Sequence, residues 1–349
     1  MSLTQTAYTS RNLIKFGGLG IVVFTFLWMV ITTAYKIYRA NHPIYYAPTV
    51  KYGVLPKVVF PDKTVTAKNF TFELPNDEIP VFKDQVKVYI IYRPNTTFLA
   101  LQEDTETAKS FGFPSEPVEV KPGIYEFNNT TDNKKLVVNV LDGDFEITYP
   151  YGSDQMLLTE TNVPDKTSAI EIASSFLNKG GKLIDDLKNG EKTISYWKID
   201  SGTLKSVSSQ SESNAVRVDF YRKDFDGHNL LSSDFGKASV SVLISGSTVE
   251  AKKIIGVNFK DINVDRESYS TYPIKTGEEA INDLKSGNYW TAMDVTDSSV
   301  IIRKMYLAYY EPTTLTNYLQ PIFVFEGDNN FVAYVSAVTS KYVSAGEDR

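Results

Sequence analysis

The sequence predicts an α+β protein, with an N-terminal transmembrane helix followed by repeated helix-plus-antiparallel-sheet units. Three observations lead there. Phe16 to Tyr35 carries no charge over twenty positions. Beyond it, short β-branched and aromatic runs alternate with turn residues. Finally, three separate stretches show apolar residues at helical spacing.

The uncharged run is long enough, at about 1.5 Å per residue, to cross a hydrocarbon core about 30 Å thick. A buried core helix rarely lacks a polar face for five turns. A secretory signal has a shorter apolar region, about 7–15 residues, ending in a small-x-small cleavage site. Here the run is longer and Lys36-Ile37-Tyr38-Arg39 follows it, so an uncleaved anchor is expected. Arg11, Lys15 and the terminal amine flank one side; Lys36 and Arg39 flank the other, close to a tie. Long domains translocate largely regardless of such charges. The complete lack of cysteine favours an oxidising exterior. The expectation is a cytoplasmic tail over residues 1–15, a membrane helix over 16–35 and an extracytoplasmic body at the cell membrane. Residues 36–63 hold Pro43, Pro48, Pro56 and Pro61 and read as a semi-rigid stalk. Its tyrosines either rest at the headgroups or pack on the body.

In the first unit, residues 64–162, strands are expected at Phe70–Leu74, Val86–Tyr92, Gly123–Phe127, Leu136–Val140 and Phe145–Tyr149. Asn128-Asn129 with Asp132-Asn133, and Leu141-Asp142-Gly143-Asp144, supply the turns. A helix runs from about Asn95 to Ser110. The second region, residues 163–338, opens with Asp165 or Thr167 capping a helix over Ala169–Asn178. Gly180-Gly181 ends that helix, or Leu183–Leu187 adds a further turn. Strands follow at Ser195–Ile199, Ala215–Tyr221, Ala238–Ile244 and Val249–Phe259. The third helix, Gly277–Ser286, has Thr276 and Glu279 spaced for reciprocal capping, and Gly287 for its C-cap. Strands at Val300–Tyr310, Leu319–Phe325 and Phe331–Val338 complete the body, and residues 339–349 form a polar, frayed tail. The hairpin loops are too short for parallel crossovers, so the sheets should be antiparallel.

Composition removes several classes of function. Without cysteine there is no disulfide, thiolate nucleophile or cysteine-ligated metal, and His42 and His228 are too few for a histidine-rich zinc site. The net charge is −6, and the four bases up to Arg39 precede every acid. Beyond Arg39, therefore, 32 of the 36 bases face all 42 acids. Such a body repels phosphate backbones, so no nucleic-acid partner is expected.

Four stretches resemble PepSY-like extracytoplasmic modules and the membrane-anchored regulatory proteins of the YycH/YycI type. They are Tyr272-Pro-Ile-Lys-Thr-Gly-Glu-Glu-Ala280-Ile-Asn-Asp-Leu284, Met305-Tyr-Leu-Ala-Tyr-Tyr310, Leu319-Gln-Pro-Ile-Phe-Val-Phe325 and Val332-Ala-Tyr-Val-Ser-Ala337. The resemblance covers mainly Thr167–Val338, with a looser echo over Asp84–Tyr149. It implies a single anchor, an exported sheet-and-helix body and a protein partner such as an envelope sensor kinase. It carries over no catalytic residue, and the extra N-terminal unit departs from its pattern.

The motifs that suggest chemistry are weak. Asp200-Ser201-Gly202-Thr203 matches the aspartic-protease triplet, but that chemistry needs two carboxylates sharing a proton and the chain has one copy. A strand-to-turn exit requires the same residues. Ser195-Tyr-Trp-Lys198 has the Ser-x-x-Lys spacing of penicillin-recognising enzymes, which works on a helix. Here the segment reads as a strand, where positions three apart face opposite sides. Asp224-Phe-Asp226-Gly227 begins like a calcium loop, yet its twelfth position is Phe235 rather than Glu, so a hairpin turn is preferred. His228 is a turn residue and His42 lies at the membrane. Asn69, Asn95, Asn128 and Asn129 form glycosylation sequons, meaningful only in a glycosylating exterior.

No catalytic, cofactor-binding or metal-binding residue is assigned. The expected function is that of a non-enzymatic, single-pass envelope protein binding a protein partner, in a regulatory or sensing role. Alternatives are a structural component stacking wall polymer on exposed rings, and a carboxylate hydrolase around Asp200.

Overall fold

The computed structural model describes residues 3–42, 46–62, 69–92, 98–200, 202–260, 262–293, 298–312, 314 and 316–344. The chain divides into Met1–Pro48 and Thr49–Arg349. The first unit is built on one helix, α1 (Leu3–Asn41). It starts well inside the expected tail and ends six residues beyond the expected span, because nothing in the sequence up to Asn41 breaks a helix. Within it, Phe16–Arg39 is long and apolar enough to cross a membrane, and none of that stretch is buried.

The body is α+β. Its largest sheet has nine strands, all neighbours antiparallel. One half runs from β3 (Val118–Lys121) through β4 (Ile124–Asn129) and β5 (Lys134–Asn139) to β6 (Phe145–Thr148). The other half continues with β12 (Ile254–Phe259), β11 (Val240–Ser245), β9 (Ala215–Phe220), β7 (Lys192–Asp200) and β8 (Thr203–Val207). The halves join where Phe145 on β6 is paired with Phe259 on β12, their rings stacked 4.7 Å apart. One sheet therefore spans position 162/163, where the sequence divides the body.

Two helices cover one face. α2 (Phe98–Ser110) contributes Ala108, and α4 (Lys166–Lys179) contributes Ala169, Ala173 and Leu177, against Phe127, Phe145, Val218 and Val242. Asp165 caps α4 through the Ser168 amide at 3.0 Å. The alternate residues Ala215, Leu243 and Ile255 point to the opposite face, under Leu157 of α3 (Gln155–Thr159). The turn α5 (Asp185–Lys188) follows α4, as one of the two sequence alternatives allows.

The remaining strands form two further sheets. Six strands pair in the order β1 (Asn69–Phe72), β15 (Ser299–Tyr310), β17 (Pro321–Gly327), β18 (Val332–Ser336), β14 (Trp290–Thr291), with β10 (Leu230–Leu231) also on β15. β13 (Asn263–Pro273), β2 (Gln85–Tyr92) and β16 (Tyr318–Leu319) form a three-stranded sheet. α7 (Gly277–Lys285) lays Ala280, Ile281 and Leu284 on the same core as Phe323, Phe325, Ala333 and Val335. Its capping box is present: Thr276 accepts from Glu279 N at 3.2 Å, and Glu279 accepts from Thr276 N at 2.7 Å.

Several expectations are corrected. β1 and β10 run parallel to β15, because both arrive from distant sequence and need no hairpin. The expected strand Val249–Phe259 begins as a helical turn, α6 (Glu250–Lys253), since Glu-Ala-Lys-Lys favours helix; only Ile254 onward is extended. β13 had no counterpart in the sequence reading: Asp265 to Ser268 breaks its alternation, and the register shifts there. The strand expected over Leu319–Phe325 is split at Gln320 between two sheets.

The proline-rich stretch also differs from a free stalk. Residues 36–41 are helical, while 49–62 lie against the body. Leu55 and Val58 are buried, Tyr272 donates its hydroxyl to Gly53 O at 3.1 Å, and Trp290 donates to Pro61 O at 2.7 Å. Phe60 stacks on Trp290 at 5.4 Å. After a turn in which Gly53 N donates to Val50 O, Pro56 and Pro61 restrict the rest of the strap without donors of their own, and its apolar side chains find a sheet face. At the other end, Val343 bridges Leu55, so the expected tail is ordered to that point; residues 345–349 lie outside the described residues.

Candidate functional site

Strand alternation builds the site. On β9 the residues Val216, Val218 and Phe220 face the helical core, so Arg217 and Asp219 point the other way. Register sets Asp219 opposite Ser241 of β11, and Ser241 opposite Asn258 of β12. A polar row thus crosses three adjacent strands. The segment after β15 and the loop after β10 close over it, leaving a cleft of about 530 Å³. Its walls include Ile91 and Tyr92 from the end of β2, Glu311 and Pro312 after β15, and Lys182 after α4.

Most charged groups in the cleft have partners. The Arg217 Nε donates to Asp219 Oδ2 at 3.0 Å, and the guanidinium lies 5.0 Å from the Trp197 ring. Lys182 Nζ stands 4.0 Å from Asp104 and 5.9 Å from the rings of Phe145 and Phe259. Glu311, only 6% exposed, accepts from the Ser239 hydroxyl. The Asn258 amide donates to Ser239 O at 3.3 Å.

Asp219 is matched at one oxygen only. It is 4% exposed, and its Oδ1 is buried with no hydrogen-bond partner. A buried polar atom left unmatched is costly, so natural structures rarely keep one without a reason. Burial pushes the Asp219 carboxyl above the ordinary range, against the lowering effect of Arg217. Burial likewise raises Asp104, opposed by Lys182, and raises Asp142.

The motifs singled out in the sequence do not come together here. Asp200 ends β7, pairs with Thr203 in register, and accepts from Lys205 at 2.5 Å with its side chain about half exposed. Gly202 carries φ +83° in that turn, which explains the glycine of the triplet. Ser195 accepts from the Trp197 indole at 2.8 Å, and Lys198 lies on the opposite face of β7. Asp226 and Gly227 have φ of +53° and +79° between mutually bonded Phe225 and His228, a two-residue hairpin turn in place of a calcium loop. Asp226 is paired with Lys87 at 3.2 Å. Burial lowers the His228 imidazole first, with Lys83 acting the same way against Asp226.

His42 stacks on Tyr38 beyond the apolar stretch. Asn128 and Asn129 spend their amides on Glu126, Asp132 and Gly112 O; Asn69 opens β1, and Asn95 lies outside the described residues. Among the described residues no three His, Asp or Glu side chains converge as metal ligands. Asp219, Arg217 and Glu311 were not singled out in the sequence. Charges alternating with Val216, Val218 and Phe220 mark a polar strand face, but not the layer that later closes over it.

No family model matches the sequence, and no curated protein matches it. Among solved structures, an uncharacterized protein from Eubacterium rectale is similar at 12% identity with TM-score 0.44, covering 82% of this chain and 92% of its own. The YpeB C-terminal domain of Bacillus megaterium is similar at 13% identity with TM-score 0.30, covering 71% and 95%.

Proposed function

We propose that the chain is a non-enzymatic, single-pass membrane protein whose body lies outside the cell membrane and binds a protein partner, regulating an envelope sensor. The observation that carries the anchor is α1: its Phe16–Arg39 stretch is apolar and entirely unburied. Its threonines are suited to lipid, since Thr25 donates to Val22 O and Thr32 to Trp28 O, both at 2.9 Å. Tyr35 and Tyr38 near its C-terminal end match an interfacial aromatic belt, with Arg39 donating to the Tyr35 hydroxyl at 3.1 Å. Binding rather than catalysis is supported by the dispersal of Asp200, Ser195, Lys198 and His228 to separate turns and faces. The regulatory part rests on the sequence resemblance to YycH/YycI-type proteins.

Polymer stacking is less well supported, because Tyr272, Tyr309, Tyr334, Phe323 and Phe325 are fully buried. The test is protease treatment of intact, wall-stripped cells with tags at both ends. Loss of the C-terminal tag, with the N-terminal tag and α1 retained in the membrane fraction, is expected. A protected C-terminal tag, or a mature chain beginning beyond Arg39, overturns the reading.

A further inference from the structure

We propose that the cleft over β9, β11 and β12 is a binding site for a primary ammonium group, received by Asp219 Oδ1. The inference deepens the reading of the body as a binding module; it rests on that reading and not on the anchor or its orientation. Three features select the chemistry.

The first is the unmatched oxygen. Asp219 is nine-tenths buried, lines the cleft and keeps Oδ1 without a partner. An ionised carboxylate only accepts, so the missing partner is a donor. The second is charge. The cleft is lined by seven carboxylates against Lys182, Arg217, Lys237 and Lys260. Three of those bases are already matched within it, to Asp104, Asp219 and Asp234. The surplus is negative and favours a cation.

The third is geometry, which distinguishes ammonium from guanidinium. A guanidinium binds carboxylate best as a fork on both oxygens. Here Oδ2 is taken by Arg217 at 3.0 Å, so one oxygen remains. An ammonium is a point donor with three protons. Three neighbouring strands supply three acceptors in one row: Asp219 Oδ1, the Ser241 hydroxyl and the Asn258 carbonyl, whose amide nitrogen already donates to Ser239 O. Cross-strand neighbours lie about 5 Å apart, so one ammonium bridges Asp219 Oδ1 and the Ser241 hydroxyl, while Asn258, about 10 Å along the row, borders the site. The ammonium has two possible sources, a lysine side chain of a partner polypeptide or a small free amine.

The experiment is calorimetric titration of the full chain in detergent with n-butylammonium, cadaverine, Nα-acetyl-lysine methylamide, n-butylguanidinium and tetramethylammonium. The three primary amines should bind, and n-butylguanidinium and tetramethylammonium about tenfold more weakly or not at all. Asp219→Asn should weaken n-butylammonium binding about tenfold to a hundredfold, the usual loss for one charged hydrogen bond. Ser241→Lys places a tethered ammonium beside Oδ1 and should abolish binding without lowering the melting temperature, which keeps the test decisive if Asp219→Asn fails to fold.

Tighter binding of the lysine amide than of n-butylammonium assigns a polypeptide source; equal or weaker binding assigns a free amine. Equal uptake of tetramethylammonium, no uptake of any amine, or undiminished binding by Ser241→Lys overturns the proposal. Protease protection reports only topology, so the two readings fail separately.

Discussion

Asp154 shows how one side chain can serve three neighbours. Its carboxylate accepts from the Tyr149 hydroxyl at 2.5 Å and from Met156 N at 3.1 Å, and it pairs with Lys252 at 2.6 Å. Burial alone would raise its pKa, but the bonds from Lys252 and Tyr149 outweigh that and hold it below the ordinary 3.8. Burial, then the bond to Asp154, pushes the Tyr149 phenol up to about 12. A carboxyl depressed in the folded state stabilises fully above its unfolded value, and that contribution drains as pH falls through the folded one. Asp154→Asn should therefore cost about 2 kcal/mol at neutral pH, the scale of a lost charged bond. The melting curves of wild type and variant should converge as acid titrates the folded carboxyl. A constant gap down to the lowest pH measured would contradict this account.

Single elements differ in how openly the sequence declares them. α7 is legible because Thr276 and Glu279 cap its first turn and Ala280, Ile281 and Leu284 line one side, both local signals. Thr276→Ala removes one half of the capping pair and should cost about 1 kcal/mol, measured as a shift in the urea midpoint at unchanged slope. β13 was not legible, because Asp265, Arg266 and Glu267 look like a loop. What holds this stretch is tertiary: Arg266 lies 3.8 Å from the Phe225 ring and donates to Asp186 at 2.8 Å, both distant in sequence. α6 is the reverse case, where local helix preference prevails over a run that otherwise reads as strand. The cleft falls between these cases. Its polar row can be read from alternation in β9 and β11, but the covering segment after β15 comes from far along the chain and leaves no local mark.

Across the whole body, the strap 49–62 acts as a structural layer. α7 covers one face of the six-stranded sheet. Val58 and Phe60 cover the other, with Trp290, Tyr310 and Tyr334, while Leu55 packs with Val88, Tyr272 and Val338. Removing residues 1–48 should leave the stability of the body intact. Removing 1–62 should cost about 3–6 kcal/mol, at roughly 1.5–3 kcal/mol for each of the two buried side chains lost, Leu55 and Val58. Urea unfolding of the two truncations measures the difference, and equal midpoints would mean the strap contributes nothing.

The same strap determines how the protein meets mechanical load. Tension transmitted from Pro48 arrives first at Thr49, whose hydroxyl is bonded to Thr271 N at 2.9 Å, then at Lys51 and Tyr52, whose amides are held by Ser270 and Tyr272. These attachments are loaded one after another, as in peeling tape, so a modest pull would free the first few while Phe60 and Trp290 still grip. The strap would then act as a fuse: a pull on its first residues is spent on its attachments to β13 before it reaches Phe60 and the six-stranded sheet.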